Sequence, residues 1–263
     1  MAYDSGSWID SGIELLQNLQ STQEDAIETV ADWCAEAIQA DGLVHLFGSG
    51  HSRIPVEEMF PRYGSFPGFN PIIELSTTFH TQIVGANGQR QAMFIERVPG
   101  LASVILRNFE LQPPDVMIVF SVGGSTALPI EMAEESKKFG VRTVAVTSVA
   151  AGGQLASVCD VAIDLGVPVG DAMMEVDGWE APVGPGSSLA AVAVTNEIKV
   201  RVARKLSAAG LSMPVLSSAA VVGEDRKSEL FDLAYDEHAR RLATRLRKLN
   251  EWPNATPVTG VAS

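Results

Sequence analysis

Serines, glycines and one histidine crowd into two short segments of this chain, Gly48-Ser49-Gly50-His51-Ser52 and Ser121-Val122-Gly123-Gly124-Ser125-Thr126. Hydroxyls and unhindered backbone N–H groups are neutral hydrogen-bond donors. A helix starting just after them adds the positive end of its dipole. The first segment follows the apolar run Leu43–Phe47 and the second follows Val116–Phe120, so each lies where a buried strand hands over to a helix. Glycine and serine in such places also serve tight turns and close packing. One loop alone does not separate these roles; two in one chain point to a phosphate held by neutral donors. The expected ligand-holding residues are Ser49, Ser52, Ser121, Gly124, Ser125 and Thr126.

Other phosphate motifs fit less well. A dinucleotide fingerprint needs a third glycine where Arg53 stands, although Glu74 has nearly the spacing of its acid. No Gly-Lys-Ser/Thr exists, which excludes a Walker loop. The four histidines, at 45, 51, 80 and 238, form neither HxH nor HExxH, so no metal is expected. His45 lies mid-strand in an apolar run and reads as a core histidine.

The elements that position these loops follow from periodicity. Ser21 and Glu24 read as a capping box, and Ile27, Val30, Ala31, Cys34, Ala37 and Ile38 recur at helical spacing. Two N-terminal helices are expected, over 5–20 and 22–40. Apolar runs at 43–47, 71–75, 115–120, 141–147 and 158–165 read as five strands alternating with helices. Continuous apolar strands of this kind form a parallel sheet covered on both faces. The fold class is therefore α/β, a doubly wound five-stranded parallel sheet in a three-layer αβα arrangement with extra N-terminal helices. One domain over 1–250 is expected, with its α/β core at 43–210, a C-terminal helix at 224–249 and a loose tail at 251–263. Gly184-Pro185-Gly186-Ser187-Ser188, before a helix at 188–208, suits either a third anion site or a helix cap. Asp171, Glu175, Asp177 and Glu180 suit either a pocket lining, a cation site or an acidic surface loop.

The net charge of −13 argues against nucleic acid and anionic membranes as partners. Two cysteines, Cys34 and Cys159, show no pairing pattern, and the first residues lack the basic and apolar regions of a signal peptide. No apolar run reaches about 18 residues, the length of a membrane helix. A cytoplasmic protein without an organic cofactor is expected.

The GSGHS loop after the first strand, the S-x-x-G-S-T loop after the third and the paired N-terminal helices resemble the SIS (sugar isomerase) domain in its single-domain, phosphoheptose-isomerase-like form, over about residues 20–210. The resemblance implies phosphorylated sugars as ligands and a homo-oligomer, expected here through the N-terminal helices. Ser52, Ser121 and Thr126 match hydroxyl positions of the family, whereas Gly123 stands where its second loop carries a serine. Glu58 falls where phosphoheptose isomerases carry a metal-binding histidine, and Arg62 where they carry a catalytic glutamate. Aldose–ketose isomerisation moves a proton between neighbouring carbons through an enediol and needs an acid and a base. Glu74, after the second strand, is the expected base and His80 the ring-opening acid; His51, expected to contact phosphate or a sugar oxygen, is the third candidate for proton transfer. Glu57 and Glu58 suit either the site or a solvated helix face. A non-catalytic sugar-phosphate sensor, or another sugar-phosphate reaction such as ether cleavage, would use the same loops.

Overall fold

A computed structural model describes residues 6–78 and 89–247. Two helices, α1 (Trp8–Thr22) and α2 (Glu24–Gln39), lead into β1 (Val44–Gly48), α3 (Ile54–Met59) and β2 (Phe69–Ile72). Three short helices follow, α4 (Leu75–Thr78), α5 (Gln89–Ile95) and α6 (Leu101–Leu106), and then β3 (Val116–Phe120) and α7 (Ala127–Lys138). Next come β4 (Arg142–Thr147), α8 (Leu155–Val158), β5 (Val161–Asp164) and a small hairpin of β6 (Ala172–Met174) and β7 (Val183–Pro185). The long α9 (Ser187–Ala208), α10 (Ala219–Val222) and α11 (Glu224–Ala243) complete the order. The residues expected to form a loose tail, 251–263, lie outside the described residues.

The five-stranded sheet runs β2-β1-β3-β4-β5, all parallel. Along the strands alternate residues enter different cores, as a period of two requires. Val44, Leu46, Val116, Ile118, Val144 and Val146 pack with α2, α3 and α9. Phe47, Met117, Val119 and Ala145 pack with α6, α7 and α8. Apolar residues therefore run without a break along β3 and along most of β1 and β4, because both faces are covered.

Several boundaries differ from expectation, each for a physical reason. Ser21 does not cap α2: its hydroxyl bonds back to the Asn18 carbonyl (3.0 Å) and α1 runs on to Thr22. Gln23 stands at the N-cap instead, and its side-chain oxygen accepts the Asp164 N–H (2.9 Å), tying the start of α2 to β5. The helix after the first loop ends at Met59, because Pro61 holds Phe60 extended (φ −166°, ψ 142°). β2 occupies 69–72 rather than 71–75, pairing Phe69 with Val44. The Glu74 carbonyl instead accepts the hydroxyls of Thr77 and Thr78. The apolar stripe of α2 is buried within the chain itself, whereas Trp8, Ile9 and Ile13 of α1 remain exposed.

The amino end of the sheet is closed by a buried polar cluster. Asp115 and His45 are fully buried. The Asp115 carboxylate accepts the Leu43 N–H (2.9 Å) and two guanidinium bonds from Arg245 (2.6 and 3.0 Å), and His45 Nε2 lies 3.4 Å away. Asn70 donates its amide to His45 Nδ1 (3.0 Å), which assigns the ring proton to Nε2, facing Asp115. Burial alone would raise the Asp115 carboxyl, but the bonds from His45 and Arg245 hold it below the usual carboxylate range. No described helix is long and apolar enough to cross a membrane.

Candidate functional site

The strand order reverses direction between β1 and β3, and in open α/β sheets ligands bind at the carboxyl ends of strands beside such a switch. The register makes this specific: Gly48 pairs with Phe120, so both glycine-serine loops leave adjacent strands at one level.

In the first loop the chain doubles back at once. A Cβ on Gly48 would lie 2.1 Å from the Ser52 carbonyl oxygen, so no larger residue fits. A 3-10 turn over Gly50–Arg53 follows, leading into α3. The Ser49 hydroxyl donates to Glu96 Oε2 (2.6 Å), and the Glu96 carbonyl accepts the Leu128 N–H at the start of α7 (2.9 Å). Glu96 thus joins the first loop to the helix behind the second. The Arg53 guanidinium donates to the Thr78 carbonyl and holds α4 against this loop.

In the second loop Gly124 adopts φ +56°, and a Cβ there would lie 2.9 Å from Thr147 Oγ1. Its N–H donates to Ser121 Oγ (3.3 Å), which leaves the Ser121 hydroxyl proton for another acceptor. Thr126 is the N-cap residue of α7 but makes no side-chain capping bond.

His51 and Ser52 of the first loop and Ser121 of the second share the wall of one cavity of about 290 Å³, with Asp171, Ser187 and Ser188 also lining it. The start of α9 is capped from a distance. Asp171 Oδ1 accepts the N–H groups of Gly186 (3.1 Å) and Ser187 (2.7 Å), and Oδ2 accepts the Ser187 hydroxyl (2.5 Å). Of the two roles open to the Gly184–Ser188 segment, the cap is the one observed, and Asp171 supplies it.

The structure thus brings His51, Ser52 and Ser121 together. Ser49 and Gly124 shape the loops from beneath. Ser125 and Thr126 sit at the start of α7, outside the residues that line the cavity. Glu74 is half-buried just beyond β2, on the flank of β1 away from β3, and does not line the cavity. His80 lies outside the described residues. Glu96 carried no signal in the sequence, since it falls in a stretch without clear period.

The two departures from the phosphoheptose pattern meet each other. Arg62 donates to the Glu58 carboxylate, whose other oxygen accepts the Asn196 amide (2.8 Å). Burial pushes Glu58 up, yet the bonds from Asn196 and Arg62 hold it below the usual range. Lys199, 5% exposed, donates to the Glu58 carbonyl (2.7 Å), and burial lowers its ammonium pKa. Among the described residues, no group of three or more His, Cys, Asp or Glu side chains is placed to hold a metal ion.

Residues 7–148 match the family model described as the SIS domain. A UPF0309 protein of Streptomyces coelicolor is 30% identical over 229 residues, covering 83% of this chain and 90% of the relative. One of Brucella anthropi is 32% identical over 223 residues, covering 82% and 89%. Among solved structures, the phosphoheptose isomerase of Neisseria gonorrhoeae is 14% identical with a TM-score of 0.49, covering 76% of this chain and 95% of that one.

Proposed function

The chain belongs to the SIS domain family, and from that premise we propose that it binds a phosphorylated sugar between the β1 and β3 loops and interconverts its aldose and ketose forms. Ser52 and Ser121, offered by two adjacent strands to one cavity, carry this proposal. Both are neutral donors, and the free proton of Ser121 suits a phosphate oxygen. Ser125 and Thr126, at the start of α7, extend the donor set on the second loop. Ser49 and Gly124 keep the loops in shape.

In this reaction a base takes the proton from the carbon next to the open-chain carbonyl. The bonding pair forms the enediol double bond, and the carbonyl oxygen gains a proton. A proton then returns to the former carbonyl carbon while the neighbouring hydroxyl gives up its own to become the new carbonyl, which completes the exchange with no net redox change. Of the expected acid–base residues, His51 lines the cavity and takes these transfers in this proposal, whereas Glu74 stands beyond β2, off its wall. Exposed Ile9 and Ile13 of α1 are the proposed homo-oligomer contact. Two unpaired cysteines suit a reducing, cytoplasmic setting.

A binding-only role is favoured by one observation. Glu58 and Arg62, at the family's metal and catalytic positions, bond to each other rather than turning outward as free groups. A thermal-shift screen of sugar phosphates against the free sugars, followed by NMR of deuterium uptake at the sugar C2 in D2O, separates the possibilities. A shift confined to phosphorylated sugars with deuterium uptake supports the isomerase. The same shift without uptake supports the sensor, and a shift with NAD alone refutes both.

A further inference from the structure

Thr126 heads α7, and its backbone (φ −84°, ψ 150°) is that of a helix N-cap. A threonine there normally turns its hydroxyl oxygen onto the N–H of the second or third helical residue, here Leu128 or Pro129. Pro129 has no N–H, so Leu128 holds the donor that a Thr126 cap would need. That donor is already taken: the Glu96 carbonyl accepts the Leu128 N–H (2.9 Å). Thr126 accordingly makes no side-chain capping bond. Glu96 is itself held on both sides. Its N–H closes α5 on the Ala92 carbonyl (3.0 Å), and its carboxylate accepts the Ser49 hydroxyl (2.6 Å). Ser49 heads the 3-10 turn of the first loop, also without a side-chain capping bond. Further along, Gly100 at φ +92° donates its N–H to both carboxylate oxygens of Glu131 on α7 (3.1 and 2.8 Å). The segment between α5 and α6 is therefore bonded to α7 at two residues and to the first loop at one.

We infer that Glu96 is a positioning residue of the two-loop site: its carbonyl caps α7 in place of Thr126, which leaves the Thr126 hydroxyl able to turn toward a bound ligand, and its carboxylate ties that cap to the first loop. The ligand half of this inference rests on the proposed binding of a phosphorylated sugar; the cap does not. A capping Thr126 would hold its oxygen over Leu128 and lose the freedom to reorient. Its backbone already has the N-cap conformation, so a rotation about χ1 separates the two roles. Loss of the Ser49–Glu96 bond releases the Glu96 carbonyl from Leu128, and Thr126 takes that N–H over.

Amide hydrogen exchange of the full chain, read by NMR at Leu128, tests the cap without any ligand. Thr126→Val alone is expected to leave Leu128 protection within about twofold, because the Glu96 carbonyl stays in place. In Glu96→Ala the same substitution is expected to lower protection at least about tenfold, since valine has no oxygen to take over. Thr126→Ser, which keeps a hydroxyl, is expected to hold protection in Glu96→Ala at the level of that variant, a rescue that a merely structural role of Glu96 would not produce. Titration calorimetry with inorganic phosphate and glucose 6-phosphate reads the site. Glu96→Ala is expected to weaken glucose 6-phosphate at least about fivefold. Thr126→Val, which weakens it in the wild type, should add nothing further in Glu96→Ala. An equal effect of Thr126→Val on Leu128 in both backgrounds, or no effect in either, overturns the inference. So does a glucose 6-phosphate affinity that falls equally with Thr126→Val in both. Should Glu96→Ala not fold, Ser49→Ala removes the same bond and serves as the second background. If the wild type binds neither probe, the phosphate reading and the ligand half fail together, while the exchange result still decides the cap.

Discussion

β1 and β3 carry polar groups at both ends, and the protein treats the two ends in opposite ways. At the amino end, Asp115, His45, Asn70 and Arg245 are at most 6% exposed, and they bond to one another. At the carboxyl end, Ser52 and Ser121 face a cavity, and Thr126 heads α7 without spending its hydroxyl on the helix. Leaving a buried charged group unsatisfied is costly, so the amino end is completed within the chain. Donors left available beside a cavity are the ones the proposed phosphate ligand would use. The comparison thus distinguishes polarity that holds the fold from polarity that serves binding.

The largest effect should come from breaking the paired end. Asp115→Ala leaves the buried Arg245 guanidinium without its acceptor, and urea unfolding should show a loss of about 3–5 kcal/mol. A loss below about 1 kcal/mol would mean that the cluster is not what closes the sheet. The same carboxyl predicts a pH dependence. Its folded pKa is depressed from an unfolded value of about 3.9, so its contribution is present above that pH and disappears as pH falls through the folded value. Circular dichroism below about pH 4 should therefore show a shallower loss of stability in Asp115→Asn than in the wild type.

At the other end the pattern should invert. Ser52→Ala combined with Ser121→Ala should cost about 1 kcal/mol of stability or less, while weakening a sugar phosphate at least about tenfold in titration calorimetry. A stability loss matching that of Asp115→Ala would erase the contrast between the ends. The smallest change is expected at Thr126. With no capping bond to lose, Thr126→Val should hold stability within about 0.5 kcal/mol and weaken binding only about twofold to fivefold. A larger fall in melting temperature would show that its hydroxyl serves the helix after all.

The fold was legible because its signals are local. Apolar runs such as Val116–Phe120 and the glycine-serine breaks after them occupy a few consecutive residues. Boundaries were less legible where a distant partner decided them. Gln23 starts α2 by accepting from Asp164, 141 residues away, and β2 begins at Phe69 to keep register with Val44. Within the site, His51, Ser52 and Ser121 were readable as loop residues, whereas Glu96 was not. Its bond to Ser49 spans 47 positions within a stretch that shows no period.

By itself the sequence determined that two strands end in donor-rich loops, since strand period, turn residues and helix starts are written within a few neighbouring positions. Only the tertiary structure decided that the loops share one cavity, through the register that sets Gly48 beside Phe120. It also decided that Asp171, rather than a ligand, caps α9, and that Arg245 reaches Asp115 across 130 residues. Such pairings depend on how packed layers bring remote segments together, a property that no local spacing of residues encodes.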